Sequence, residues 1–271
     1  MLTILSIAGL LLIVMIHELG HAHAMIRNGI RIKEIGLGWP IRSLPHFRFR
    51  LNKKIPSVTL HPLLLGAYVE PYYSEGKKIE GLPYLDMAFV YGAGVWANTV
   101  FAMLIVVVLQ MFAPEQMPTY KAVINSSAIN LTLTLLYVGI LVILFLCPRL
   151  FCGYIIPPLG IFVTYLTVKI LTEHFRDSMG GPVSIIMDSA PRMATWVGAG
   201  KEIAILSLAI GLLNMLPLPP LDGGQIIRNL LKRWFGERWS LAYSGFGVLC
   251  VLCLIALALF GDIQKLIHLI F

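Results

Sequence analysis

The residues best suited to chemistry stand where ionisable groups are costly. His17-Glu18-Leu19-Gly20-His21 interrupts an apolar run that opens at Leu2, and ionisable side chains inside a span mark function by default. On a helix, positions i and i+4 share a face, so His17 and His21 can turn two imidazole nitrogens to one Zn²⁺. Glu18, about 100° round the helix, can hold a water beside that metal as general base. His23 falls on another side and reads as an interfacial residue. Two imidazoles leave a tetrahedral zinc short of a third protein ligand. Asp222, in Asn214-Met215-Leu216-Pro217-Leu218-Pro219-Pro220-Leu221-Asp222-Gly223-Gly224, is the acid at a matching depth. At 1.5 Å per residue, His17 and His21 lie about 22 and 28 Å below Leu2, and Asp222 about 30 Å below Glu202. The two segments must run in the same direction for this to hold. Three prolines forbid a continuous helix there, and Gly223-Gly224 is expected to make the sharp turn that aims Asp222.

The elements that must position these groups are membrane spans. The chain has 271 residues, 58% hydrophobic and 13% charged, with mean hydropathy +0.81. A soluble domain carries about a quarter charged residues, so a soluble globular protein is excluded. The expected fold is an all-α polytopic membrane protein. Six spans are read at Leu2–Ile26, Met87–Phe112, Ile129–Cys147, Phe151–Leu171, Ile203–Leu216 and Leu241–Phe260. Residues 1–16 resemble a signal-peptide core without a basic start or small-residue cleavage site, so a retained helix is expected.

The net charge of +7 raises nucleic acid as a partner, but placement of the charges argues for topology instead. Ten basic residues lie between Arg27 and Lys78, one is Arg149, and four are Arg228, Lys232, Arg233 and Arg238. These 15 of 21 fall on one side if both termini are outside, which puts the ligands towards the cytoplasm. No nucleic-acid partner is expected. Cys250-x-x-Cys253, inside the last span, reads as packing.

Together these motifs resemble the site-2 proteases, a family of intramembrane zinc metalloproteases. The resemblance rests on the His17–His21 motif and the Asn214…Asp222-Gly223-Gly224 stretch. It is joined by Gly66-Ala67-Tyr68-Val69, similar to the family's G-x-Y-V segment, and by Gly92-Ala93-Gly94-Val95-Trp96-Ala97-Asn98, similar to G-P-x-x-N with Val95 in the proline position. Gly180-Gly181-Pro182-Val183-Ser184-Ile185 is similar to G-G-P-x-x-I.

The resemblance implies that His17, His21 and Asp222 bind Zn²⁺, that Glu18 is the catalytic base, and that Asn214 contacts an unwound substrate. Asn98 fits the same pocket, with an interhelical hydrogen bond as the alternative. Gly66, Ala67, Tyr68 and Val69 are expected in a re-entrant β-hairpin with 57–60, whose strand edge pairs with substrate main chain. The implied substrate is a single-pass transmembrane protein cut within the lipid bilayer, best where Gly, Pro or Asn weakens its helix. A zinc-binding adaptor or transporter without proteolysis is the competing reading.

The expected organisation is one domain over 1–271. It comprises a zinc-motif helix (1–26), a cytoplasmic β region (27–82), a second core helix (87–112), an additional hairpin (129–171) and the Asp-bearing core helices (180–260). The short chain points to a prokaryotic cell membrane. Substrate identity and oligomeric state stay open.

Overall fold

The computed structural model describes residues 2–38, 46–50, 57–62, 66–72, 78–113, 116, 127–173 and 181–270. The long apolar runs fold as helices because the bilayer leaves backbone groups no partner but one another. They are α1 (Leu2–Arg27), α2 (Tyr84–Phe112), α3 (Ser127–Leu146) and α4 (Ile156–Glu173), the last entered through Pro148–Leu150 and a π turn at Phe151–Ile155. After them come α5 (Pro182–Ser189), α6 (Trp196–Asn214), α7 (Asp222–Phe235) and α8 (Glu237–Ile270). Five described helices are long and apolar enough to cross a membrane: 2–27, 84–112, 148–166, 196–214 and 237–267. The chain is a multi-pass membrane protein. The helix α3 coincides with the remaining expected span at 129–147.

Two boundaries differ from expectation. The span expected to begin at Ile203 starts at Trp196, because Thr195 Oγ1 accepts the Gly198 N–H at 3.0 Å and caps the helix early. Nor do Gly223 and Gly224 make a turn: Asp222 opens α7, and both glycines are helical. Their purpose is close approach. A Cβ on Gly223 would lie 2.1 Å from the Met215 carbonyl oxygen, and one on Gly224 2.2 Å from the Leu218 carbonyl carbon.

The β region is a four-stranded sheet, built from β1 (Ile32–Leu37), β2 (Phe47–Phe49), β3 (Val58–Leu60) and β4 (Ala67–Pro71). Its order is β2-β3-β1-β4. The expected pairing of 57–60 with 68–69 is therefore replaced. Strand β1 lies between them, parallel to β3 (Ile35 opposite Val58) and antiparallel to β4 (Ile35 opposite Val69). The apolar residues Ile32 and Ile35 explain this, being 2% exposed and packed into the main core. Strand β4 is left as a sheet edge.

Polar contacts sort the connections into two ends. At one end Arg149 pairs with Asp86 at 2.6 Å, and Arg233 donates to the carbonyls of Glu80 and Leu82. At the other, Lys265 pairs with Asp188 at 2.6 Å, Arg192 with Glu202 at 3.5 Å, and Lys201 donates to the Gln116 carbonyl. The first end holds Arg149 and Arg233, from two of the basic groups noted in the sequence, and the second holds Arg192, Lys201 and Lys265, which lie outside those groups.

The described part of the Gly-Gly-Pro stretch is a docking point. Asp262, on α8 and 3% exposed, accepts the N–H groups of Gly181, Val183 and Ser184 at 2.9–3.0 Å and the Ser184 hydroxyl at 2.6 Å. It caps the start of α5 from another helix. Gly181 is needed because a Cβ there would lie 2.5 Å from Asp262 Oδ2. Replacing Asp262 with alanine orphans three buried donors, each worth about 1–3 kcal/mol. The full chain in detergent should melt at least roughly 3 °C lower. An unchanged Tm would show that the clamp carries no stability.

Candidate active site

The helices α1 and α2 cross closely because Gly20 has no side chain: a Cβ there would lie 2.3 Å from the Ala93 carbonyl oxygen. This brings α2 against the His17–His21 face. Gly94 sits over His17, where a Cβ would come within 2.3 Å of Nε2. From the far side, Asp222 arrives on the first turn of α7. Its loop is held by Gly160 of α4, where a Cβ would meet the Met215 carbonyl at 2.1 Å. It is held also by Tyr243 of α8, whose hydroxyl donates to the Pro217 carbonyl. The additional hairpin thus buttresses the loop that delivers Asp222.

Three ligand-type atoms converge. His17 Nε2 and His21 Nε2 are 3.2 Å apart, and Asp222 Oδ2 lies 3.1 and 3.4 Å from them. Ligands bound to tetrahedral zinc at 2.0–2.1 Å sit roughly 3.3–3.4 Å from one another, so the triangle has the right size. The donor chemistry fits as well. His21 Nδ1 lies 2.8 Å from the Val90 carbonyl, which it can meet only as an N–H, leaving Nε2 with its lone pair. Buried Asp222 Oδ2 has no hydrogen bond of acceptable geometry to either imidazole. Three lone-pair atoms facing one another this closely are mutually repulsive until a cation lies among them.

Asn98 extends the arrangement outward. It is fully buried, with its side-chain amide nitrogen 3.3 Å from His17 Nδ1 and its Oδ1 without a partner. Turning the amide over places Oδ1 against His17 Nδ1–H, with Nδ2 then taking the position that has no partner. His17 Nε2 is then free as a ligand. Asn98 does not line the substrate cavity anticipated from sequence, because its face of α2 is packed between α1 and α6. There Ser207 Oγ donates to its carbonyl at 3.0 Å.

A cavity of about 460 Å³ opens over the triad. His17, Glu18, His21 and Asp222 line it with Asn214, Ala67, Tyr68, Val69, Gln225 and Arg228. Gly66 does not: with φ +85° it turns the chain into β4, and its carbonyl accepts the Gly38 N–H at 2.8 Å. The Asn214 amide is tethered to the Ile210 carbonyl at 3.0 Å, at the last turn of α6. His23 is exposed and stacks near Trp96, away from the triad.

Sequence reasoning missed what sits behind β4. The Tyr68 hydroxyl donates to Glu34 Oε1 at 2.6 Å and lies 3.1 Å from His61 Nε2. Arg48 and Thr59 donate to Glu34 Oε2 at 2.7 and 3.3 Å. Burial pushes the Glu34 carboxyl up, but the hydrogen bonds from Tyr68 and Arg48 and the Arg48 charge outweigh it and hold it below its ordinary range. Burial and the Glu34 carboxylate raise the Tyr68 phenol well above its usual value. Tyr68 therefore locks β4 through its ring hydroxyl, and it also lines the cavity. The only sequence signal was a Glu one strand away, on no recognisable spacing.

Gly94 gives a direct test of the packing. Gly94→Ala must displace the His17 imidazole and should weaken zinc binding by at least about 10-fold, the lower bound for disturbing a ligand's support. Gly92→Ala instead meets Ile156 and Cys152 and should lower stability while leaving zinc affinity intact. Equal zinc affinity in the two variants, read by chelator competition, would contradict the observed contact.

The model for peptidase family M50 matches residues 5–258. The chain belongs to that family. Among relatives, "Putative zinc metalloprotease RSc1411" of Ralstonia nicotianae is 32% identical over 103 residues, 36% of this chain and 22% of that protein. "Putative zinc metalloprotease mll0638" of Mesorhizobium japonicum is 33% identical over 120 residues, 41% of this chain and 31% of the relative. "Probable protease eep" of Enterococcus faecalis is 33% identical over 106 residues, 36% and 24% of the two lengths. The matched stretch thus spans under a third of each of these relatives.

Proposed function

We propose that this chain is a zinc-dependent intramembrane endopeptidase that cuts single-pass transmembrane substrates. The observation that carries the reading is the triangle of His17 Nε2, His21 Nε2 and Asp222 Oδ2, sized for zinc and open to a cavity that Glu18 and β4 share. Membership of a peptidase family and the zinc metalloprotease names of relatives support it. Bound zinc would supply Lewis-acid activation of a water and of the scissile carbonyl.

The remaining work falls to the chain's own groups. Glu18 accepts the proton of the attacking water and returns it to the departing amine. His21 is held in the ligating tautomer by the Val90 carbonyl, and His17 by Asn98. The free edge of β4 at Ala67–Val69 pairs with the main chain of an unwound substrate, a mode that recognises little side-chain sequence. Asn214, one wall away, offers its free amide oxygen to that same main chain. The whole chain acts as one intramembrane domain, with both termini outside and the site towards the cytoplasm of a prokaryotic cell.

Metal removal is the test. Chelator-treated full-length protein should lose cleavage of a tagged single-span substrate in proteoliposomes, and one equivalent of Zn²⁺ should restore it. Protein that takes up zinc but leaves the substrate intact would favour the adaptor or transporter reading instead.

A further inference from the structure

We propose that the cleft between α7 and α8 seats an anionic phospholipid, with acyl chain between the helices and headgroup at Arg238. The two helices meet at Gly236, whose φ of +85° reverses the chain. Above this turn a cleft of about 470 Å³ is walled by Leu231 and Phe235 of α7 and by Trp239, Ala242, Tyr243 and Phe246 of α8. The spacing (i, i+4 on one helix; i, i+3, i+4, i+7 on the other) gives each helix one continuous apolar wall. Phe235, Trp239 and Phe246 are 60–63% exposed, so no described part of the chain covers them.

Charge and depth select the occupant. Lys232, Arg233, Glu237 and Arg238 crowd the turn between Trp234 and Trp239 and mark the level where lipid meets water. Arg233 is spent on the Glu80 and Leu82 carbonyls, and Lys232 pairs with Glu237 at 2.7 Å. Arg238 is exposed and makes no ion pair or hydrogen bond among the described residues. Arg238, one position before Trp239 and four before Ala242, therefore offers a cation without a carboxylate partner among the described residues at the end of an almost entirely apolar slot, which is the complement of an anionic headgroup above an acyl chain.

The slot runs from Trp239 to Phe246, about 10 Å along α8. A lipid tail can lie along it between the two apolar walls. The seat also backs onto Tyr243, which holds the Pro217 carbonyl in the loop leading to Asp222.

The test places the full chain in phosphatidylcholine bilayers doped with brominated phosphatidylglycerol or brominated phosphatidylcholine. The Trp239 signal is isolated by subtracting the Trp239→Phe variant. One uncompensated cation predicts roughly fivefold preferential quenching by the glycerol lipid. Arg238→Gln should reduce the preference to about one, and Arg238→Lys should keep it. Ala242→Phe, which fills the slot but keeps the charge, should also abolish it. Equal quenching by both lipids, a preference that survives Ala242→Phe, or protection of Trp239 from both lipids would each overturn the proposal, the last by showing that protein covers the cleft.

Discussion

Glu18→Gln should leave zinc in place and stop cleavage. The change is isosteric, removes no atom of the His17, His21 and Asp222 triangle, and keeps the α1 packing at Gly20. What it removes is a base able to accept a proton from water. General-base catalysis is worth about 10²- to 10⁴-fold, so turnover of a single-span substrate should fall by at least that. Bound zinc per chain should be unchanged. Glu18 lines the cavity beside both imidazoles, as a base must. Residual cleavage near the parent rate would remove Glu18 from the mechanism and with it the proposed chemistry.

Asp222→Ala should do the reverse at the first step, losing the metal itself. With the carboxylate gone, the two Nε2 atoms 3.2 Å apart form only one edge of the polyhedron. Loss of an outer partner of a ligand typically costs 10- to 100-fold in affinity, and loss of a ligand should exceed about 100-fold. The expected result is a zinc-poor protein whose cleavage returns, if at all, only at high metal concentration. Asp222→Asn is the sharper control, since its amide keeps the shape but lacks the charge. Full zinc occupancy in Asp222→Ala would place the third ligand elsewhere. The two variants separate base from ligand, because only one of them changes metal content.

Much of this was readable from local spacing and composition. An H-E-x-x-H within one helix fixes its own geometry, since i and i+4 share a face whatever surrounds them. The apolar runs dictate helices because lipid offers backbone no alternative, and the described spans follow them. Even Asp222, 201 positions beyond His21, could be matched by depth, because a membrane imposes one axis on every helix. The same depth argument could not foresee that Asp222 would open a new helix.

Other features depend on which surfaces meet. Glycines at 20, 94, 160, 223 and 224 look alike in a sequence, yet each is explained by a close neighbour 2.1–2.3 Å from a hypothetical Cβ, the Met215 carbonyl oxygen serving both Gly160 and Gly223. Asn98 carries no mark of being the partner of His17 rather than a group in the cavity. Nothing local announces that Asp262 will cap a helix 80 residues earlier, or that β1 will separate β3 from β4. The amino-acid order alone determined the membrane class and the placement of His17, Glu18 and His21 on one helix, because those follow from composition and periodicity along a single segment. Tertiary structure alone decided the partners of each ligand, the free edge of β4 and the slot beside Arg238, because these arise from contact between segments remote in the chain, where close packing rather than periodicity governs.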